Sequence, residues 1–248
     1  MIDASIRRWF AWAPGLEDAD AWRRWVDDPV EIGREGHPDA AFLPPLLRRR
    51  CSPLARVMLS VAFGCCDADE RENSATVFAS RHGNVNESID MFQRLARRQP
   101  LSPTRFSHTV HNAQAGLFSI AAGNRQASSS ISAGEDSFNC GFLEALTLLQ
   151  RAPERPVLLV MADVPLCPQF APLVDEPAVS YGLALLVTSQ GEGSPLAFAL
   201  ERGESTPERA ARPPALDFLR WLLSRETRLE LCNGPRRWVW ERRAPRRA

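Results

Sequence analysis

Residues 130–145 read Ser-Ile-Ser-Ala-Gly-Glu-Asp-Ser-Phe-Asn-Cys-Gly-Phe-Leu-Glu-Ala, and their pattern decides the fold. The small and β-branched residues from Ser128 to Ala133 pattern as a strand. Beyond Gly134, the apolar residues Phe142, Leu143, Leu146 and Leu149 recur at helical spacing and predict a helix over 135–150. A strand that turns sharply into a helix presents unpaired N–H groups and the positive end of the helix dipole. Such a corner suits a nucleophile or an anion. Here it carries Glu135, an acid rather than a cysteine or serine.

Working outward, strands and helices alternate. The periodicity predicts strands at 75–80, 127–133, 157–163, 181–188 and 195–200, with helices at 86–97 and 111–122 and a loop at 98–107. Alternation of this kind implies an α/β layer architecture with a mostly parallel sheet. A further helix runs from Pro44 to Cys66, its buried stripe formed by Leu46, Leu47, Leu54, Val57, Met58, Val61 and Ala62. Residues 1–45 form an aromatic-rich extension, read as a strand and a short helix (Asp18 to Trp25) that pack Trp22 and Trp25 into the core. After the α/β core at 45–201 come a polar, proline-rich connector at 202–215 and a tail at 216–248. The tail reads as a short amphipathic helix, an arginine-flanked edge strand and a frayed end.

Composition narrows the function classes. The chain has 248 residues, 44% of them hydrophobic, enough for one domain with a substantial core. Thirty basic residues, all arginine, balance thirty acidic ones, which argues against a nucleic-acid partner or broad attachment to anionic membranes. The six cysteines form no C-x-x-C pair and read as reduced thiols, so neither a metal nor a cofactor is expected. No apolar run approaches the roughly 18 residues that span a bilayer, and the N-terminus lacks a signal-peptide pattern. A cytoplasmic protein without membrane insertion is the expectation.

The run from Leu101 to Gly116, Leu-Ser-Pro-Thr-Arg-Phe-Ser-His-Thr-Val-His-Asn-Ala-Gln-Ala-Gly, resembles the "SP…F…N-x-x-A-G" run of β-ketoacyl-acyl-carrier-protein synthases in the thiolase superfamily. Continued without a gap, Ile131 to Ser137 lies on the "V-S-T-A-C-A-S" of those enzymes and puts Glu135 on the catalytic cysteine position. Fainter likenesses cover the strand and turn at 74–83 and the strands after the corner. The second half of a full synthase, with its "GT" and "FGFGG" histidine motifs, has no counterpart here. The resemblance implies one thiolase-type half: a five-stranded mixed sheet with helices on both faces, and a dimer joined through the strand at 127–133.

The same resemblance frames the chemistry. A carboxylate cannot act as the thiolate that attacks an acyl thioester, and no histidine pair is present to support condensation. The resemblance therefore implies a non-condensing subunit akin to the chain-length factors, which hold Gln at this position, in a bacterial fatty-acid, polyketide or aryl polyene pathway. Its partners would be a catalytic synthase or a second copy, with an acyl carrier protein docking on arginines such as Arg48, Arg49, Arg50, Arg97 and Arg98. Two alternatives stay open. Glu135 could serve a malonyl-carrier-protein decarboxylase or another acyl-thioester enzyme, with His108 or His111 nearby, or it could simply cap its helix in a structural dimeric module. Asn112, Gly116, Ser137 and Phe138 are the candidate pocket residues.

Overall fold

The computed structural model describes residues 1–34, 36–170, 174, 177–189, 193–203 and 212–244. Most of the connector at 202–215 and the last four residues, expected to be a linker and a frayed end, thus lie outside the described residues.

Three strands carry nearly unbroken apolar runs and are buried along their whole length: β2 (Ala75–Ala79), β4 (Val157–Asp163) and β5 (Tyr181–Thr188). Strands of that composition need cover on both faces. Alternation along β4 supplies it. Val157, Leu159 and Met161 face one core, which is closed by α1 (Ala19–Asp27), α8 (Ser137–Arg151) and α9 (Pro214–Leu223). Leu158, Val160 and Ala162 face the other, closed by α3 (Pro53–Cys65) and α7 (Ala113–Ala122). Two glycines allow the helices to approach closely. A Cβ on Gly141 of α8 would stand 3.0 Å from the Cβ of Ala79, and one on Gly182 of β5 would stand 2.6 Å from Val57 of α3.

Around this centre one sheet runs in the order β3-β2-β4-β5-β1-β6-β8-β7. It is completed by β1 (Ile2–Trp12), β3 (Ser128–Ile131), β6 (Ser194–Arg202), β7 (Arg228–Asn233) and β8 (Arg236–Arg242). The α/β thiolase-type half with helices on both faces is what the sequence implied. Its sheet differs in having eight strands instead of five, and only the β2–β3 and β2–β4 ladders are parallel. The connections between these parallel strands are helical, whereas β1 and the C-terminal strands enter antiparallel. The expected edge strand at 236 is interior, because the unforeseen β7 turns back at Gly234 (φ 55°) and covers it.

Helix boundaries follow local chemistry. The helix expected from Pro44 to Cys66 is broken into α2 (Pro45–Arg48) and α3, because Ser52 caps Ala55 N–H and Pro53 opens a new first turn; the break leaves Leu46 of α2, expected in the buried stripe, exposed. A Ser-Pro pair does the same inside the expected loop: Ser102 caps α6 (Pro103–Ser107). In α4 (Ala68–Asn73), Asp67 and Glu70 form a reciprocal capping box, and Glu70 also pairs with Arg8 of β1. The remaining helix, α5 (Val85–Ala96), follows β2.

Candidate functional site

β3 ends at Ile131, Gly134 takes a left-handed φ of 61°, and a short 3-10 turn at Gly134–Asp136 feeds α8. Glycine is needed there because a side chain at positive φ is strained. Ser137 locks the turn: its Oγ accepts the Ala133 N–H at 3.0 Å and donates to the Gly134 carbonyl at 2.7 Å. Glu135 therefore stands at the strand-to-helix junction, as the register with the synthases implied. Its side chain is 45% exposed, and its Oε1 lies 3.9 Å from a guanidinium nitrogen of Arg81, a side chain only 13% exposed. Neither Ala133 nor Asp136, at the starts of the turn and of α8, makes a side-chain capping bond.

The other acid at the corner is buried. Asp136 Oδ1 accepts from the Trp238 indole N–H at 2.8 Å and from the Asn139 amide at 3.1 Å, and Oδ2 lies 2.8 Å from Arg236 Nε. The C-terminal strand β8 thus pins the start of α8 across the core. Phe138, expected to line a pocket, is buried among Phe142, Phe218 and Trp240. Its place after Asp136 in the first turn of α8 directs it into the aromatic core.

Behind the corner sits a group that sequence reasoning passed over. Asp163, the last residue of β4, is buried. It accepts hydrogen bonds from the Ser80 hydroxyl at 2.7 Å and from the Arg81 and His82 N–H groups at 3.0 and 3.2 Å. The Tyr181 hydroxyl, on the register partner of Asp163 in β5, completes the set at 3.4 Å. Burial pushes the Asp163 carboxyl above the usual range, opposed by the Ser80, Arg81 and His82 bonds. The carboxylate fixes the turn after β2, and that turn carries Arg81 toward Glu135. An acid ending an otherwise apolar strand was the available signal.

The remaining candidates gather on the neighbouring turn. Asn84 donates to the His108 carbonyl at 2.6 Å and accepts from Ser52 Oγ at 2.8 Å. The His108 imidazole is shifted below its ordinary value, by burial first and by the charge of Arg50 second. His111 packs over Gly83, where an added Cβ would come within 3.1 Å of its Nδ1. Asn112 stands exposed before α7 without a side-chain capping bond, and Gly116 faces open space. Among the described residues no cluster of three or more histidine, cysteine or acidic side chains is arranged to hold a metal. Likewise, no helix is long and apolar enough to cross a membrane.

A mixed sheet covered on both faces, with a glycine-hinged strand-to-helix corner beside its edge, defines a thiolase-type half-domain. The chain belongs to the β-ketoacyl synthase N-terminal domain family, whose profile matches residues 22–241. It is similar to a chain in the structure of the ketosynthase ApeO in complex with its chain length factor ApeC from Xenorhabdus doucetiae. There the TM-score is 0.84 at 30% identity, over 98% of this chain and 100% of that one. Two more distant likenesses concern the fold alone. The ishigamide ketosynthase/chain length factor gives a TM-score of 0.64 at 18% identity, over 82% of this chain and 67% of that one. The ketosynthase from module 6 of the Bacillus subtilis bacillaene synthase gives 0.60 at 12%, over 83% and 44%. No curated protein matches the chain.

Proposed function

We propose that this chain is a non-condensing partner subunit, akin to a chain length factor, that pairs with a catalytic β-ketoacyl synthase in a bacterial pathway building fatty-acid, polyketide or aryl polyene chains. The observation that carries this reading is Glu135 at the strand-to-helix corner, 45% exposed and facing Arg81. A carboxylate there has neither the nucleophilicity of a thiolate nor a histidine pair to stabilise an enolate. The similarity to a chain of a ketosynthase–chain length factor complex supports the pairing.

The surface around β3 is consistent with a partner. β3 lies at the end of the sheet, bonded among the described residues to β2 alone, and three of its four side chains are serines. An open strand edge with little side-chain bulk is a template for pairing with a second sheet. The connection between β2 and β3 exposes large apolar residues: Phe92 and Leu95 on α5, Phe106 on α6 and Ile120 on α7. Exposed apolar surface of that kind marks interaction sites. The arginines at 48–50 and 97–98 remain our candidates for docking an acidic carrier protein, with Arg49, Arg50, Arg97 and Arg98 exposed.

Sedimentation velocity of the chain, alone and with the synthase that co-purifies from the native host, tests the pairing. A dimer in either sample is expected, and it should be weakened by Ile120→Arg, which places a charge in the proposed interface. A monomer in both samples would overturn the reading.

A further inference from the structure

We propose that a second site, which uses neither Glu135 nor the β3 edge, binds an apolar monocarboxylate such as a medium-chain fatty acid in a cleft whose head-group anchor is Arg34. The cleft has two neighbouring parts with lining residues in common. The larger, about 520 Å³, is floored by Trp25 of α1, Ile32 and Leu216 of α9, with Pro29, Val30 and Pro213 among its other walls. The smaller, about 110 Å³, ends on Asp163, His82 and Tyr181. Arg34, Pro177, Ala178 and Val179 line both, so the two parts meet at Arg34.

The size of the larger part falls within the few hundred to 1,000 Å³ typical of small-molecule sites, and its mainly apolar wall with few polar groups fits that class. The polar groups fix what the ligand must be. Arg212 is held by Asp217 at 2.9 Å, whereas the Arg34 guanidinium has no ion-pair or hydrogen-bond partner among the described residues. A planar guanidinium beside an apolar cleft matches a carboxylate, which it can bind through two parallel hydrogen bonds. Asp163, at the far end of the smaller part, turns its oxygens to Ser80, Arg81, His82 and Tyr181, and its burial favours the neutral form, which limits its repulsion of that head group. Glu31, the other acid of the lining, is solvent-exposed. The apolar chain of the ligand lies along Trp25 and Leu216. None of this depends on whether the chain pairs with a synthase.

Isothermal titration calorimetry of the full chain with sodium decanoate, and with 1-decanol as the uncharged counterpart, tests the site. Decanoate should bind at one site, about tenfold or more tighter than decanol, the preference expected of one charge-assisted contact. Arg34→Gln should erase that preference. Val30→Asp, which puts a like charge on a wall position 62% exposed, should weaken decanoate by about tenfold. Both positions are exposed, so the variants should keep the parent's thermal midpoint, and Glu135→Gln should bind as the parent does. Absence of decanoate binding at millimolar ligand overturns the proposal. So does binding unaltered by Val30→Asp, and equal affinity for decanoate and decanol overturns the assignment of Arg34.

Discussion

Asp163→Ala is the substitution that most directly probes how the corner is held. Asp163 is 4% exposed, so water cannot readily replace its side chain. Its removal strands the Arg81 and His82 N–H groups, bonded at 3.0 and 3.2 Å, and takes the acceptor from the Ser80 hydroxyl at 2.7 Å. A buried donor left without an acceptor costs about 1–3 kcal/mol. Two backbone donors and a hydroxyl set an upper range of about 3–9 kcal/mol, reduced because a buried carboxylate is itself costly to desolvate. A net loss of about 2–4 kcal/mol follows. With an m-value of about 3 kcal/mol/M, the urea midpoint falls by roughly 1 M. The Ser80–Gly83 turn loosens with it, and hydrogen exchange at Arg81 and His82 should accelerate well beyond the global change. A loss under about 0.5 kcal/mol, with exchange at that turn unaltered, refutes the claim that this acid positions Arg81.

Other expectations are checked by similar means. Gly182→Val should destabilise by about 1–3 kcal/mol or more in thermal melts, since even a Cβ there meets Val57 at 2.6 Å, whereas Gly141→Ala, with 3.0 Å to Ala79, should cost less. Trp238→Phe removes the 2.8 Å bond to buried Asp136 and should lower stability by about 1–3 kcal/mol in urea titrations. The Asp163 carboxyl titrates higher in the folded chain than its ordinary 3.8, so its protonated form is the better tolerated one. Its contribution to stability is therefore complete below the unfolded value and declines as pH rises through the folded one. Asp163→Asn, which cannot ionise, should flatten that part of the stability profile measured between pH 3.5 and 8.

The parts of the fold that were legible are those written in local pattern. Unbroken apolar runs announced β4 and β5, and the switch at Gly134 from small residues to helical spacing announced the corner and α8. The breaks at Ser52-Pro53 and Ser102-Pro103 were also written there, as cap and first-turn signals, but the apolar stripe of 44–66 and the polar run of 98–107 outweighed them. β7, Arg-Leu-Glu-Leu-Cys-Asn, hides because its exposed face carries charges that pair along the hairpin, Arg228 with Glu230 and Glu241. The distant partners of Asp163 and Asp136 could not be read in this way. Ser80 lies 83 residues from Asp163, and Trp238 lies 102 residues from Asp136; both contacts exist only after the sheet has assembled. Glu135 illustrates the converse, since its residue type was legible but its partner Arg81, brought by a different strand, was not.

The proposed non-condensing role of Glu135 is tested most directly with malonyl-carrier protein and a synthase partner, following carbon dioxide release and chain extension for the parent and Glu135→Ala. The account predicts that the isolated chain does neither, and that the synthase complex extends chains equally well with either form. Carbon dioxide release by the isolated parent that disappears in Glu135→Ala would contradict it.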